Sequence, residues 1–230
     1  MYSLTAIVPF YNEELFMEES INRLLTNDVF DKIILIDDCS TDSSASIGKQ
    51  FEFKNNKISY YKNNNNGGKG LALSTAFKEV STTHVVIHDA DLEYDPKDIK
   101  EMKALSIDNP DSLILGSRFI GNKARKNLYT RTYIANKVMS IFFSFVNFYN
   151  ISDVATCYKL MPSEFIKTIK LKESGFSIEI EMLSKFLKFN RSVIESPISY
   201  AGRSYEEGKK IKTVDGFLYL LNTVKYRIFN

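Results

Sequence analysis

Short strand-length runs recur along the first half of the chain, and most of them stop at a polar or acidic residue. Leu4 to Pro9 (LTAIVP), Lys32 to Asp37 (KIILID), Ile58 to Tyr61, Val85 to Ile87 and Ser112 to Leu115 are these runs. Apolar runs without alternation belong to strands covered on both faces, the situation of a parallel sheet flanked by helices. Helical patterns separate them. Asn12 suits a helix cap ahead of Glu13 and Glu14, and Met17, Ile21, Leu24 and Leu25 recur at helical spacing. A second helix runs through Ile47, a third covers Leu71 to Val80, and Asp95-Pro96 opens another. Strand, helix and strand joined by short connections predict an α/β fold, with a mostly parallel central sheet, right-handed crossovers and helices on both faces.

The chain has 230 residues and no Pro/Gly/Ser-rich linker, so a single domain with a C-terminal extension is expected. It divides into residues 1–118, whose strand ends bind a ligand, an opposite half over 119–212, and an amphipathic helix over 213–230. A net charge of +2 is too mild for a nucleic-acid partner, but its placement is uneven. Acidic groups crowd Asp89 to Asp98, whereas Arg118 to Arg131 and Arg203 to Lys212 are basic. Two cysteines, Cys39 and Cys157, make no disulfide framework and point to a reducing, cytoplasmic setting. The N-terminus enters a strand directly, and no run reaches the roughly 18–20 apolar residues of a membrane span.

Ligands of such sheets bind beyond the carboxyl ends of the strands. Pro9 to Glu13, Asp37 to Ser40 and Asp89 to Glu93 all fall there. In HDADLEYDP, residues two apart would share a face if the backbone stays extended, so Asp89, Asp91 and Glu93 are expected to converge. Carboxylates held that close repel unless a cation lies among them, and all-oxygen ligands suit Mg2+ or Mn2+. A solvated acidic loop is the bland alternative. Asn63 to Gly70 (NNNNGGKG) tolerates left-handed backbone and could bring amides to a phosphate beside Lys69. It lacks Walker spacing, and a plain turn is the competing interpretation. Arg118 leaves the fifth strand at the same edge, to hold a phosphate or make an ordinary ion pair.

From Arg131 to Tyr149 the chain predicts a long helix with one narrow polar stripe, Asn136, Ser140, Ser144 and Asn147. The rest of its circumference, including Ile134, Val138, Ile141, Phe145 and Phe148, is apolar and must be covered. Core packing or a second copy of the chain, as in a homodimer, would do so; a lipid tail or a membrane surface is the sharper alternative. Ser152 to Met161 returns to the sheet, and Phe176 to Phe189 forms a helix on which Glu179 and Glu181 cannot share a face. After a strand over Ser192 to Ile198, the loop from Arg203 to Lys210 could close over a diphosphate with Arg203 and Lys209 as a clamp. Val214 to Phe229 is amphipathic.

Seven motifs in fixed order resemble the family 2 glycosyltransferases. They are VPFYNEE, IDDCSTDSS, GGKG, HDADLEYDP, GSR at Gly116 to Arg118, TCYKLM at Thr156 to Met161, and GRSYEEGKKI at Gly202 to Ile211. The later ones are similar to the dolichyl-phosphate mannose and glucose synthase branch. The resemblance implies the Rossmann-like GT-A fold and transfer of a hexose, with inversion, from a UDP- or GDP-sugar to a polyprenyl-phosphate acceptor. It places the nucleotide at Pro9, Tyr11, Glu13 and Asp38, with Asp37, Lys69, Asp89 and Ala90 completing the donor set. The metal falls to Asp89, Asp91 and Glu93, the acceptor phosphate to Arg118 and Arg131, and the donor diphosphate to Arg203 and Lys209. Asp91 and those four basic residues form the catalytic set. The chain departs from the pattern at Gly68, where a basic residue is common, and at Ala155, where an acidic one is.

A phosphate acceptor, with a second pKa near roughly 6, is already anionic and requires no base. A sugar hydroxyl would require one, with Asp153, Glu179 or Glu181 as candidates. Transfer to such a hydroxyl, or a catalytically silent sugar-nucleotide-binding module, are the competing functions. A D-x-D phosphatase is disfavoured because its aspartates follow the first strand, and a dinucleotide dehydrogenase because no G-x-G-x-x-G follows Pro9. Peripheral contact with a membrane surface is a further expectation.

Overall fold

The computed structural model describes residues 1–127, 129–175, 177–203 and 213–229, with the backbone alone for 213–215. Lys209, one half of the expected diphosphate clamp, lies outside the described residues. In chain order the elements are β1 (Leu4–Phe10), α1 (Met17–Leu25), β2 (Lys32–Asp37), α2 (Ser44–Lys54), β3 (Ile58–Lys62), α3 (Gly68–Lys78) and β4 (His84–Ile87). A single 3-10 turn (Pro96–Asp98) leads into α4 (Ile99–Asp108), followed by β5 (Leu113–Ser117), β6 (Arg125–Lys126) and α5 (Thr130–Asn147). The chain ends with β7 (Lys159–Pro162), α6 (Ser163–Thr168), α7 (Ile178–Phe189), β8 (Val193–Pro197), β9 (Tyr200–Ala201) and α8 (Thr213–Ile228).

Seven strands form one sheet in the order β3-β2-β1-β4-β7-β5-β8. Each is parallel to the others except β7, which runs antiparallel between β4 and β5. The expected mostly parallel sheet is therefore present. Its central strands are buried along their whole length, as their unbroken apolar runs require. Helices α2 and α3 pack on β1 to β3, and α4 packs on β5, β7 and β8. A two-stranded ribbon, β6 with β9, lies apart from the main sheet.

Helix α1 buries Met17, Ile21 and Leu24, the stripe read from its spacing. It starts later than expected. Asn12 has a left-handed φ of 52° and caps no helix; its side-chain oxygen instead accepts from the Thr41 amide at 2.9 Å. Helix α3 starts earlier, at Gly68, so Lys69 and Gly70 belong to its first turn. Asp95 caps the 3-10 turn by accepting from the Lys97 amide, as its position before Pro96 foretold.

Helix α5 does not turn its wide apolar face to the core, so core packing, one of the alternatives for covering it, does not apply. Its polar stripe faces inward, with Asn136 7 % and Ser140 2 % exposed, while Ile141 and Phe145 are 68 % and 75 % exposed. The serine and asparagine stripe is small enough for close approach and finds partners there: Ser140 donates to the Asn136 carbonyl and Ser144 to the Ser140 carbonyl. Apolar side chains of α8, among them Phe217, Leu221 and Ile228, are also exposed beside it. Among the described residues no helix is long and apolar enough to cross a membrane.

Candidate active site

The carboxyl ends of β1, β2 and β4 open into a cleft of about 640 Å³ whose opposite wall is α5 and the first turns of α8. Pro9, Tyr11, Glu13, Asp38, Lys69, Asp89, Ala90, Asp91, Glu93, Arg118, Arg131 and Arg203 all line it. Of the expected site residues with described side chains, only Asp37 does not. Its carboxylate is turned back into the sheet, accepting from the Ser40 amide at 2.6 Å and the Tyr60 hydroxyl at 2.8 Å. Asp37 thus shapes the turn after β2, and donor contact from that strand end falls to Asp38.

Asp38 is itself engaged. It accepts from Asn63 Nδ2 at 2.8 Å, from the Gly67 amide at 3.2 Å and from the Gly68 amide at 2.6 Å. The amides expected to approach a phosphate therefore bind a carboxylate of the protein at the start of α3. The glycines answer a different steric demand. Gly68 has φ +78°, and a Cβ there would come within 2.3 Å of the Ser174 carbonyl oxygen. At Gly70 a Cβ would meet the Glu173 carbonyl at 1.8 Å. The glycine-rich run lets the 173–175 segment press against α3.

The acidic run departs from an extended strand. β4 ends at Ile87, and Leu92 takes a left-handed φ of 63°, so positions 89, 91 and 93 do not alternate along a straight backbone. Their carboxylates take three different partners. Asp89 holds Lys69 Nζ at 2.8 Å, and Asp91 holds Arg203 Nη2 at 3.0 Å. Glu93 accepts from the Tyr200 hydroxyl at 2.9 Å and from the Arg203 amide at 2.8 Å. Among the described residues no group of three or more His, Cys, Asp or Glu side chains is arranged to hold a metal ion. Asp89, Asp91 and Glu93, the three expected ligands of one cation, all line the cleft, with Glu93 turned at Leu92 towards Tyr200.

Electrostatics separates the two aspartates. Burial, then the charges of Asp89 and Glu93, push Asp91 up to about 7 against the pull of Arg203. Burial also acts on Asp89, but Lys69 holds it below its ordinary value. Asp91 is therefore less fully compensated by positive charge than Asp89. An aspartate pair offering only oxygen, with one member so raised, fits a hard divalent ion that takes its remaining ligands from water and phosphate.

On the opposite wall, Arg118 is buried in a two-pronged pair with Asp153, Nε and Nη2 lying 2.7 and 2.8 Å from its oxygens. The Asp153 carboxylate also accepts from the Arg118 amide at 3.0 Å. This is the ion-pair alternative in buried form, and Nη1 has no hydrogen bond among the described residues. Arg131, in the first turn of α5, is exposed at the cleft and unpaired among the described residues. Glu179 faces the cleft and Glu181 does not, as their spacing required. Glu179 pairs with Lys69 at 2.9 Å and with Lys159, while Glu181 binds the Lys172 and Glu173 amides and Lys185.

Lys159 and Tyr200 were missed. Lys159 sits inside an apolar strand as the buried partner of Glu179. A lysine in that position was the available signal, since one is almost never buried unpaired. Tyr200 lies two residues beyond an expected strand end and carried no signal of its own.

The fold and cleft place the chain in a known class. The glycosyl transferase family 2 profile matches residues 5–170, and the chain belongs to that family. It is 26 % identical over 220 residues to the dolichol-phosphate mannosyltransferase of Pyrococcus furiosus, covering 94 % of this chain and 61 % of that protein. It is likewise 26 % identical over 228 residues to the UDP-N-acetylglucosamine–dolichyl-phosphate N-acetylglucosaminyltransferase of Methanococcus voltae, covering 92 % of this chain and 90 % of the relative. Glucosyl-3-phosphoglycerate synthase from Mycobacterium tuberculosis, solved with Mn2+, UDP and glucosyl-3-phosphoglycerate, superposes with a TM-score of 0.74 at 14 % identity, over 98 % of this chain and 80 % of that one. The expected GT-A architecture is thus shared.

Proposed function

We propose that this family 2 glycosyltransferase moves a hexose, with inversion, from a UDP- or GDP-linked sugar to a polyprenyl- or dolichyl-phosphate acceptor. The observation that carries the acceptor assignment is the state of the carboxylates. Each one that could have served as a base for a hydroxyl acceptor is bound by a buried cation: Asp153 by Arg118, Glu179 by Lys69 and Lys159, Glu181 by Lys185. A phosphate acceptor requires no base. Arg131, exposed at the cleft mouth, and the Nη1 of Arg118 supply the complementary charge. The two dolichyl-phosphate transferases among the relatives support the same acceptor class.

On the donor side, Pro9, Tyr11, Glu13 and Asp38 form the nucleotide wall, and Arg203 with Lys209 meets the diphosphate. Asp89 and Asp91 would hold a Mg2+ or Mn2+ ion, whose charge would offset that developing on the departing diphosphate. The Mn2+ and UDP in the Mycobacterium tuberculosis structure support this choice of ion and base. The inside-out α5 and the exposed apolar residues of α8 support peripheral contact at the cytoplasmic face of a membrane, where a lipid phosphate is found. Arg227 of α8 lies 5.8 Å from the Phe148 ring, so basic side chains fringe this apolar face.

The test supplies UDP- and GDP-linked sugars, radiolabelled in the sugar, with polyprenyl phosphate in detergent or with free sugar acceptors. Label should pass into the organic-extractable lipid. Arg131→Ala should lower that transfer about 10–100-fold, the worth of one charge-assisted hydrogen bond, while leaving donor hydrolysis near its original rate. Label reaching only sugar hydroxyls would reject the lipid-phosphate acceptor.

A further inference from the structure

The same guanidinium that is placed to meet a diphosphate is occupied elsewhere. Arg203 Nη1 lies 3.1 Å from Glu13, which follows β1, and Nη2 lies 3.0 Å from Asp91, which follows β4. Its backbone amide holds Glu93 at 2.8 Å. One residue thus neutralises acidic side chains from two separate strand ends, with its own side chain only 11 % exposed.

Lys69, the other cation among the aspartates, is fixed from behind. Its Nζ is 2.8 Å from Asp89 and 2.9 Å from Glu179, and Glu179 is itself bound by fully buried Lys159. Among the described residues Arg203 has no such ionic backing; its guanidinium instead lies 5.3 Å from the Phe16 ring. Its Nε is buried and has no hydrogen-bond partner among the described residues. A buried N–H without a partner costs free energy, so the present pose leaves this side chain a reason to move to an acceptor that would engage it.

We propose that Arg203 is a resident cation that a divalent ion must displace. The ion takes over Asp91, Lys69 keeps Asp89, and the freed guanidinium turns to the diphosphate of the incoming sugar nucleotide, whose oxygens also engage Nε. A divalent ion and a guanidinium brought onto the same Asp91 oxygen would repel each other at contact distance, so the two compete for it. Cation and donor binding are thereby coupled, each relieving a cost the other would otherwise bear. Arg203 is a positioning residue for the ion as well as a ligand for the donor. The exchange rests on the donor site proposed above.

Binding of Mn2+ followed by electron paramagnetic resonance tests it without turnover, in the wild-type protein, Arg203→Gln and Arg203→Lys, each alone and with UDP or GDP. Without nucleotide, Arg203→Gln should bind Mn2+ at least about fivefold more tightly than wild type, at the low end of ordinary coupling between linked sites. The gain in Mn2+ affinity on adding nucleotide should shrink by the same factor. Arg203→Lys, which keeps the charge and loses the fork, should fall between the two, and it carries the test if the glutamine variant does not fold. Mn2+ affinity that is equal or weaker in both variants would overturn the exchange while leaving the donor site intact. Tighter Mn2+ in the variants, with no response to either nucleotide in the wild type as well, would uphold the exchange and defeat the donor assignment. No Mn2+ binding to any of the proteins, with or without nucleotide, would end both.

Discussion

The half of the molecule before β5 and the half after it are stabilised in different ways. In the first, α1 turns its apolar stripe inward, β1 and β4 are buried end to end, and Asp38 is satisfied mainly by backbone amides. In the second, α5 turns its polar stripe inward, and the buried carboxylates Asp153, Glu179 and Glu181 are each held by a basic side chain. The first half follows the ordinary rule that apolar surface leaves water. The second depends on paired charge and leaves an apolar helix face exposed.

The sharpest way to break this contrast is to remove one charge from the second half. Arg118→Ala would leave Asp153 buried without its cation and should cost about 3–5 kcal/mol, measured by denaturant unfolding. A loss below about 1 kcal/mol would mean that the pair is dispensable. The next comparison sets two isoleucines on two helices against each other. Ile21→Ala, in the buried stripe of α1, should cost about 2–5 kcal/mol, whereas Ile141→Ala on α5 should stay within about 0.5 kcal/mol. Replacing Ile141 and Phe145 together by Ser should nevertheless weaken sedimentation with vesicles containing anionic lipid. Unchanged sedimentation would assign that face to a second protein molecule instead.

The last comparison is electrostatic and lies in the first half. Because Asp91 is raised to about 7, the folded protein keeps a proton there that the unfolded chain releases near its ordinary carboxylate range. The unfavourable contribution of this group is absent below about pH 4 and grows as the pH rises to about 7. Asp91→Asn should therefore gain melting temperature relative to wild type across that window, and Mn2+ should narrow the difference by stabilising only wild type. A constant difference from pH 4 to 7 would show that Asp91 is ionised throughout.

Much of the first half was legible because each signal is local. Apolar runs of strand length and the Asp95-Pro96 start need no knowledge of the rest of the chain. Local signals failed where a distant segment intervened. Nothing near Gly70 says that the Glu173 carbonyl will press on it, and nothing near Glu93 says that Tyr200 will take its carboxylate. Asp37 and Asp38 are indistinguishable by type, and only the turn after β2 decides which one enters the cleft. For α5, periodicity separates two faces but carries no label for inside and outside. Small residues that pack closely made the polar stripe the buried one.

The single antiparallel strand has a temporal consequence. β4, which leads into the acidic run, and β5, which leads into Arg118, are not hydrogen-bonded to each other; β7 bridges them. A growing chain therefore releases β5 well before the neighbours that will hold it, β7 and β8, have been made. The centre of the sheet closes late, from the C-terminal side. The two sides of the cleft come into register only at that point, so a truncated nascent chain would carry aspartates with no opposite wall to meet them.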